Sequence, residues 1–163
     1  MSDESASTAD QYLTFTLGEE QYAVEVGKVR EVLEFTEITR VPRTREYMKG
    51  VINLRGSVVP VVDLRRKFGL AEADATVDTS IVVMELDLGD EAVIVGTVAD
   101  SVQEVVSIDE GQIEPSPKIG TRIEGEFIKG IGKQDDRFII ILDMDRVFSE
   151  AELSNVAAEQ GES

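Results

Sequence analysis

Two aspartates, Asp63 and Asp143, each close an apolar run that reads as a β-strand, a place where a phospho-acceptor or a metal ligand could stand. They recur in similar surroundings, which favours a structural duty such as capping a following helical turn. Asp100, Asp109, Asp135, Asp136 and Asp145 lack the spacing of a calcium loop. Gly18, Gly27, Gly50 and Gly56 form no phosphate-cradling pattern. The chain has no His and no Cys, which removes thiolate nucleophiles, zinc-type ligand sets and the usual general base near neutral pH. A hydrolase built on carboxylates would need a cleft with a paired Asp/Glu and a perturbed pKa. No spacing favours one, so the sequence points to no catalytic residue, no metal and no cofactor. Arg55 is the more informative side chain. It stands in Asn53-Leu54-Arg55-Gly56, at a turn that projects into solvent.

The elements around these residues are mostly strands. Tyr12–Leu17 and Gln21–Val26 flank the turn at Gly18. Val29, Val32 and Leu33 are spaced at i, i+3 and i+4, which admits a short helical turn, but the run is too brief to decide the element. Gly50–Leu54 and Ser57–Val62 form a hairpin across Arg55-Gly56, with Pro60 implying an edge strand or a bulge. Leu64–Phe68 is a helical turn stopped by Gly69. Residues 71–79 are polar and acidic, the best linker. Ser80–Leu86, Glu91–Val98 and Val102–Ile108 are further strands, followed by a long irregular loop over 110–125. Ile128–Ile131 and Phe138–Leu142 make a last hairpin. Ser149 and Glu152 have capping-box spacing and open a helix through about Ala158. Residues 1–10 read as a flexible acidic tail without the basic and apolar regions of a signal peptide.

Charge is uneven along the chain. The 163 residues carry a net charge of −17, which disfavours nucleic acid and anionic membrane as partners. Yet residues 28–67 hold ten basic and five acidic residues, a net of 10 − 5 = +5. A basic island on an acidic protein is a docking face for an acidic partner. No run is long and apolar enough for a membrane helix. Aromatic residues are 6% and Trp is absent, which speaks against a module that binds Pro-rich peptides in an aromatic groove.

The chain also repeats itself. Tyr47-Met48-Lys49-Gly50-Val51 matches Phe127-Ile128-Lys129-Gly130-Ile131, Asp63-Leu64 matches Asp143-Met144, and Phe68 matches Phe148, all at an offset of 80. Val29-Arg30-Glu31-Val32 matches Val102-Gln103-Glu104-Val105 at 73, and the turns at Gly18 and Gly89 match at 71. Each half is too short for a comfortable core of its own. Two similar β-lobes, about 11–70 and 80–149, should therefore share apolar surface, and their seam is a natural binding groove. Val29, Val32, Val98, Val102 and Val105 either line such a groove or fill the core.

The run from Gly50 to Arg65, Gly-Val-Ile-Asn-Leu-Arg-Gly-Ser-Val-Val-Pro-Val-Val-Asp-Leu-Arg, with Lys67-Phe68-Gly69 after it, resembles the CheW family of chemotaxis coupling proteins. Tyr12-Leu13-Thr14-Phe15, Tyr22-Ala23-Val24, Val29-Arg30-Glu31-Val32 and Val95–Val102 fit the same family. The resemblance covers about residues 11–149. It implies an all-β fold of two intertwined five-stranded SH3-like barrels around a common core. It implies a non-enzymatic, cytoplasmic adaptor that bridges chemoreceptor tips and the histidine kinase CheA in arrays at the inner membrane. By motif match, Arg55, Val29, Val98, Ala99, Asp100 and Val102 fall on the receptor-binding surface, and Glu31 and Val32 near the kinase interface. A coupling protein of another chemosensory pathway, serving pili or gliding, fits the same motifs. The acidic ends, 1–10 and 150–163, lie outside them.

Overall fold

A computed structural model of the chain describes residues 9–42, 47–71, 73–88, 91–114, 127–134 and 136–147. The expected N-terminal tail (apart from its last two residues), the irregular segment after Glu114 and the C-terminal helix lie outside them. Eleven strands follow one another: β1 (Ala9–Leu17), β2 (Glu20–Glu25), β3 (Val29–Glu34), β4 (Met48–Leu54), β5 (Ser57–Asp63), β6 (Ser80–Leu88), β7 (Glu91–Ala99), β8 (Ser101–Asp109), β9 (Ile113–Glu114), β10 (Ile128–Gln134) and β11 (Arg137–Leu142). One-turn helices follow β5 and β11: α1 (Leu64–Lys67) and α2 (Met144–Val147). Asp63 caps α1, its carboxylate accepting from the Arg65 backbone N–H at 3.0 Å. That is the structural duty its sequence position suggested.

The strands form two sheets, in the order β8-β1-β2-β11-β10-β9 and β3-β6-β7-β5-β4. The repeat explains both. Replacing β1, β2, β3, β4 and β5 by their repeat partners β6, β7, β8, β10 and β11, and the reverse, converts one order into the other. Each barrel therefore combines the β-hairpin of one half with the remaining strands of the other half. A division at residues 71–79 does not separate the barrels, because the halves have exchanged hairpins. The pairing details repeat too. A bulge lies between Met48 and Gly50 and again between Ile128 and Gly130. The Asp63 N–H donates to the Tyr47 carbonyl at 2.6 Å, and the Asp143 N–H to the Phe127 carbonyl at 2.9 Å. The isolated Thr39–Val51 bridge beside β4 corresponds to β9 beside β10.

Two expectations change. Val29–Glu34 is a strand, not a helical turn. Its residues alternate between half-buried and exposed, with Val29, Glu31 and Leu33 on the inner side, and it pairs with β6. A paired barrel strand outweighs a helical spacing only a few residues long. Pro60 lies on an interior strand, because β5 pairs with β4 on one side and β7 on the other. The parallel ladder to β7 begins at Val61, one residue past Pro60, so the missing N–H costs no bond there.

Period-2 alternation sends the side chains of the central strands into two cores. Tyr12, Ala23, Val106, Ile108, Ile139 and Ile141 fill the first barrel, and Ile52, Val59, Val61, Ile81 and Val83 fill the second. Their neighbours Leu13, Tyr22, Val24, Val62, Val82, Met84, Leu86 and Val95 point the other way into a larger shared core. Phe15, Tyr22 and Phe68 stack through it with ring centroids 6.0 and 6.1 Å apart, and Phe127 meets Phe68 at a tilt, 6.3 Å away. Burial there, with the nearby Glu20 charge, pushes the Tyr22 hydroxyl up to about 12.

Candidate functional site

The β4–β5 hairpin turns on two residues, Leu54 pairing directly with Ser57. Arg55 has φ +51° and Gly56 φ +90°, the two left-handed conformations a tight twisted hairpin requires. The Asn53 side-chain oxygen accepts from the Gly56 N–H at 2.8 Å and holds the turn. Arg55 is thereby thrown outward, with 71% of its side chain exposed, and its guanidinium pairs with the Glu31 carboxylate. In strand order β3 and β4 lie at opposite edges of their sheet. Curling of that sheet brings the two residues together. On the other face of β3, Val32 is an exposed apolar side chain.

The other residues singled out in the sequence are less open. Val29 and Val102 are half-buried against the shared core, and Ala99 is fully buried within it. Val98 is half-buried against the second barrel's core. Val105, on β8, is exposed. Asp100, the single residue between β7 and β8, takes a two-pronged bond from Arg65, Nε to Oδ1 at 3.1 Å and Nη2 to Oδ2 at 2.5 Å. It also accepts from the Gly18 N–H at 2.7 Å. Burial pushes the Asp100 carboxyl up, but the bonds from Arg65 and Gly18 outweigh it and hold it below the usual value. Arg65 donates further to the Ala71 carbonyl at 2.7 Å. Val98, Asp100 and Arg65 share the wall of a small hollow of about 40 Å³ with Phe35, Lys49 and Asp63. The sequence reading missed Arg65. Its signal was a basic residue placed two after Asp63, where the repeat has the acid Asp145.

A larger cleft of about 600 Å³ is lined by Gln11, Glu25, Val26, Gly27, Lys28, Glu85 and Asp87. Its carboxylates face cations: Glu25 meets Lys129 at 3.1 Å, Glu85 meets Arg30 at 2.9 Å, and Asp87 meets Lys28 at 3.1 Å. Acids held in this way do not form the carboxylate pair that acid–base hydrolysis needs. Among the described residues, no group of three or more acidic side chains is placed to hold a metal ion.

The family model for the CheW-like domain matches residues 11–152. The chain belongs to the CheW-like family. Chemotaxis protein CheW of Klebsiella aerogenes is 35% identical over 150 residues, covering 92% of this chain and 88% of that protein. Chemotaxis protein CheW of Thermotoga maritima is 35% identical over 143 residues, covering 86% and 88%. The crystal structure of the scaffolding protein TtCheW from Thermoanaerobacter tengcongensis superposes with a TM-score of 0.78 at 38% identity, over 88% of this chain and 90% of that one. The two SH3-like barrels described above are thus the CheW-like fold. The exposed Arg55–Glu31 corner and the half-buried valines beside the shared core belong to a CheW-like domain. Among the described residues, no helix of this domain is long and apolar enough to cross a membrane.

Proposed function

We propose that this chain is a non-enzymatic chemotaxis adaptor that couples the cytoplasmic tips of chemoreceptors to the histidine kinase CheA. The observation that carries this reading is the near end-to-end match to chemotaxis proteins and to a scaffolding protein of the same fold. In this reading Arg55 contacts the receptor tip, an amphipathic helical hairpin, from the exposed turn. Val29, Val98 and Val102 give the same surface its apolar floor. Ala99, whose side chain is buried, and Asp100, which is engaged with Arg65, shape that floor from behind. Glu31 and the exposed Val32 face the related double-barrel domain of the kinase. The adaptor works in the cytoplasm, in arrays beneath the inner membrane, where many weak contacts reinforce one another.

The Arg55–Glu31 ion pair supports the reading, because in it a residue proposed for the receptor and one proposed for the kinase are coupled at one corner. Receptor docking that draws Arg55 away also frees Glu31 on the kinase side. The test is a titration of Arg55→Ala with a receptor-tip fragment and, separately, with the kinase regulatory domain. Receptor affinity should fall at least tenfold, while stability changes by about 0.5 kcal/mol or less, as for most surface substitutions. Unchanged receptor affinity would remove Arg55 from the interface. A companion variant, Val32→Asp, should weaken the kinase complex and spare the receptor complex.

A further inference from the structure

The chain passes between barrels at two short crossovers, and each is held by an ion pair to a one-turn helix. At the β7–β8 crossover the acid is Asp100 and the cation is Arg65 of α1. At the β2–β3 crossover the cation is Lys28, 2.8 Å from Asp145 of α2. The helix positions are repeat equivalents, 145 − 65 = 80. Lys28 lies one residue past the equivalent of Asp100, since 100 − 73 = 27. A hairpin N–H donates to the acid of each clamp, Gly18 to the crossover residue Asp100 and Asp87 to the helix residue Asp145 at 2.9 Å, and the Asp87 carboxylate also meets Lys28 at 3.1 Å. The two clamps therefore have the same architecture and opposite polarity. All four side chains are 30% exposed or less, so solvent screens them only in part.

The polarity matters because the two halves are interchangeable in shape. Each half's strands accept a hairpin from the other half, and the hairpins are repeat equivalents with the same pairing. A first half could accept the hairpin of a first half from another copy of the chain, leaving the second halves to do the same. Such like-half pairing would link copies into dimers or larger assemblies. It would also set Arg65 against Lys28 and Asp145 against Asp100, like charges at both clamps. We propose that the charge-reversed clamps are what restrict hairpin exchange to unlike halves, and so exclude assemblies in which like halves of different copies pair. This inference is independent of the receptor and kinase assignments. Specificity of this kind comes from the penalty on the wrong pairing as much as from the reward of the right one.

The test reverses one clamp. Arg65→Asp with Asp100→Lys keeps opposite charges across the native contact, though the Gly18 N–H loses its acceptor, and gives both halves the same polarity, so that like halves now attract as unlike halves do. Refolded by dilution from denaturant at low salt and sized by chromatography with light scattering, this variant should form concentration-dependent oligomers. Its fraction of closed monomer should drop by roughly two- to five-fold, the ratio a partly exposed ion pair supports. Two labelled batches refolded together should give mixed oligomers. The comparison is Arg65→Gln with Asp100→Asn, which weakens the clamp without making like halves attractive. It should yield fewer oligomers than the reversed variant. Reversal of the other clamp, Lys28→Asp with Asp145→Lys in an Asp87→Asn background, should reproduce the effect. The proposal is overturned if both reversed variants refold as monomers. It is also overturned if the neutral pair oligomerises as much, since weakening alone would then explain the change. Failure of both reversed variants to fold counts against it equally, because opposite charges still meet in the native arrangement.

Discussion

Arg55 occupies a backbone position that suits few side chains. With φ at +51° beside Gly56 at +90°, the turn is one for which Asn-Gly is the favoured pair. Arg55→Asn should therefore keep or slightly raise the thermal midpoint while removing the guanidinium. A variant that melts no earlier yet fails to bind the receptor tip separates recognition from folding. Asp100 makes a second prediction at this scale. Its carboxyl is held below the usual carboxylate range by the bonds from Arg65 and Gly18, which outweigh burial. A depressed carboxylate stabilises the fold fully above its unfolded pKa, and that contribution fades as pH falls through the folded one. Acid titration of Asp100→Asn should show a flatter stability profile below about pH 4 than the parent chain. Identical profiles would mean that the clamp contributes nothing to acid stability.

Gly50 and Gly130 illustrate what an element demands of its sequence. A methyl group on Gly50 would fall within the Thr39 carbonyl, and its φ of +147° disfavours other residues as well. On Gly130 it would lie 2.9 Å from the Glu114 carbonyl and closer still to the Ile113 side chain. Both glycines admit a crossing segment against the bulged strand. The Lys-Gly pairs at offset 80 therefore mark one feature built twice. Gly50→Ala should cost roughly 1–3 kcal/mol or more, as overpacked sites do. Gly130→Ala should cost less, because its nearest clash is with a movable side-chain methyl and its backbone clash, at 2.9 Å, is milder than the closer approach of Gly50 to the Thr39 carbonyl; chemical denaturation of the two variants checks the order. β3 shows the same dependence on its neighbours. Its apolar spacing fitted a helical turn, and only the partner strand β6 decided otherwise.

At the scale of the whole molecule, the largest core belongs to neither barrel. Met84 and Leu64 are fully buried in it beside residues of both sheets. Met84→Ala should cost about 2–5 kcal/mol. It should lower the midpoint of both barrels together, in one transition with matching calorimetric and van't Hoff enthalpies. Two separable transitions would show that the barrels hold themselves up independently. The −17 net charge enters at the same scale. It disfavours polyanionic partners through the field of the whole surface rather than through any one residue.

Local chemistry was readable from the chain alone: the Arg55-Gly56 hairpin, the Asp63 cap, the repeat at offset 80, and the family resemblance. These depend on residues near one another in sequence, where turn geometry, alternation and capping act directly. The exchange of hairpins, the pairing of Arg55 with Glu31, the engagement of Asp100 with Arg65 and the burial of Ala99 were decided only in three dimensions. Two halves with nearly the same pattern carry the same local instructions, so which half accepts which hairpin is a matter of long-range contacts and charge. Those terms appear only when distant segments meet.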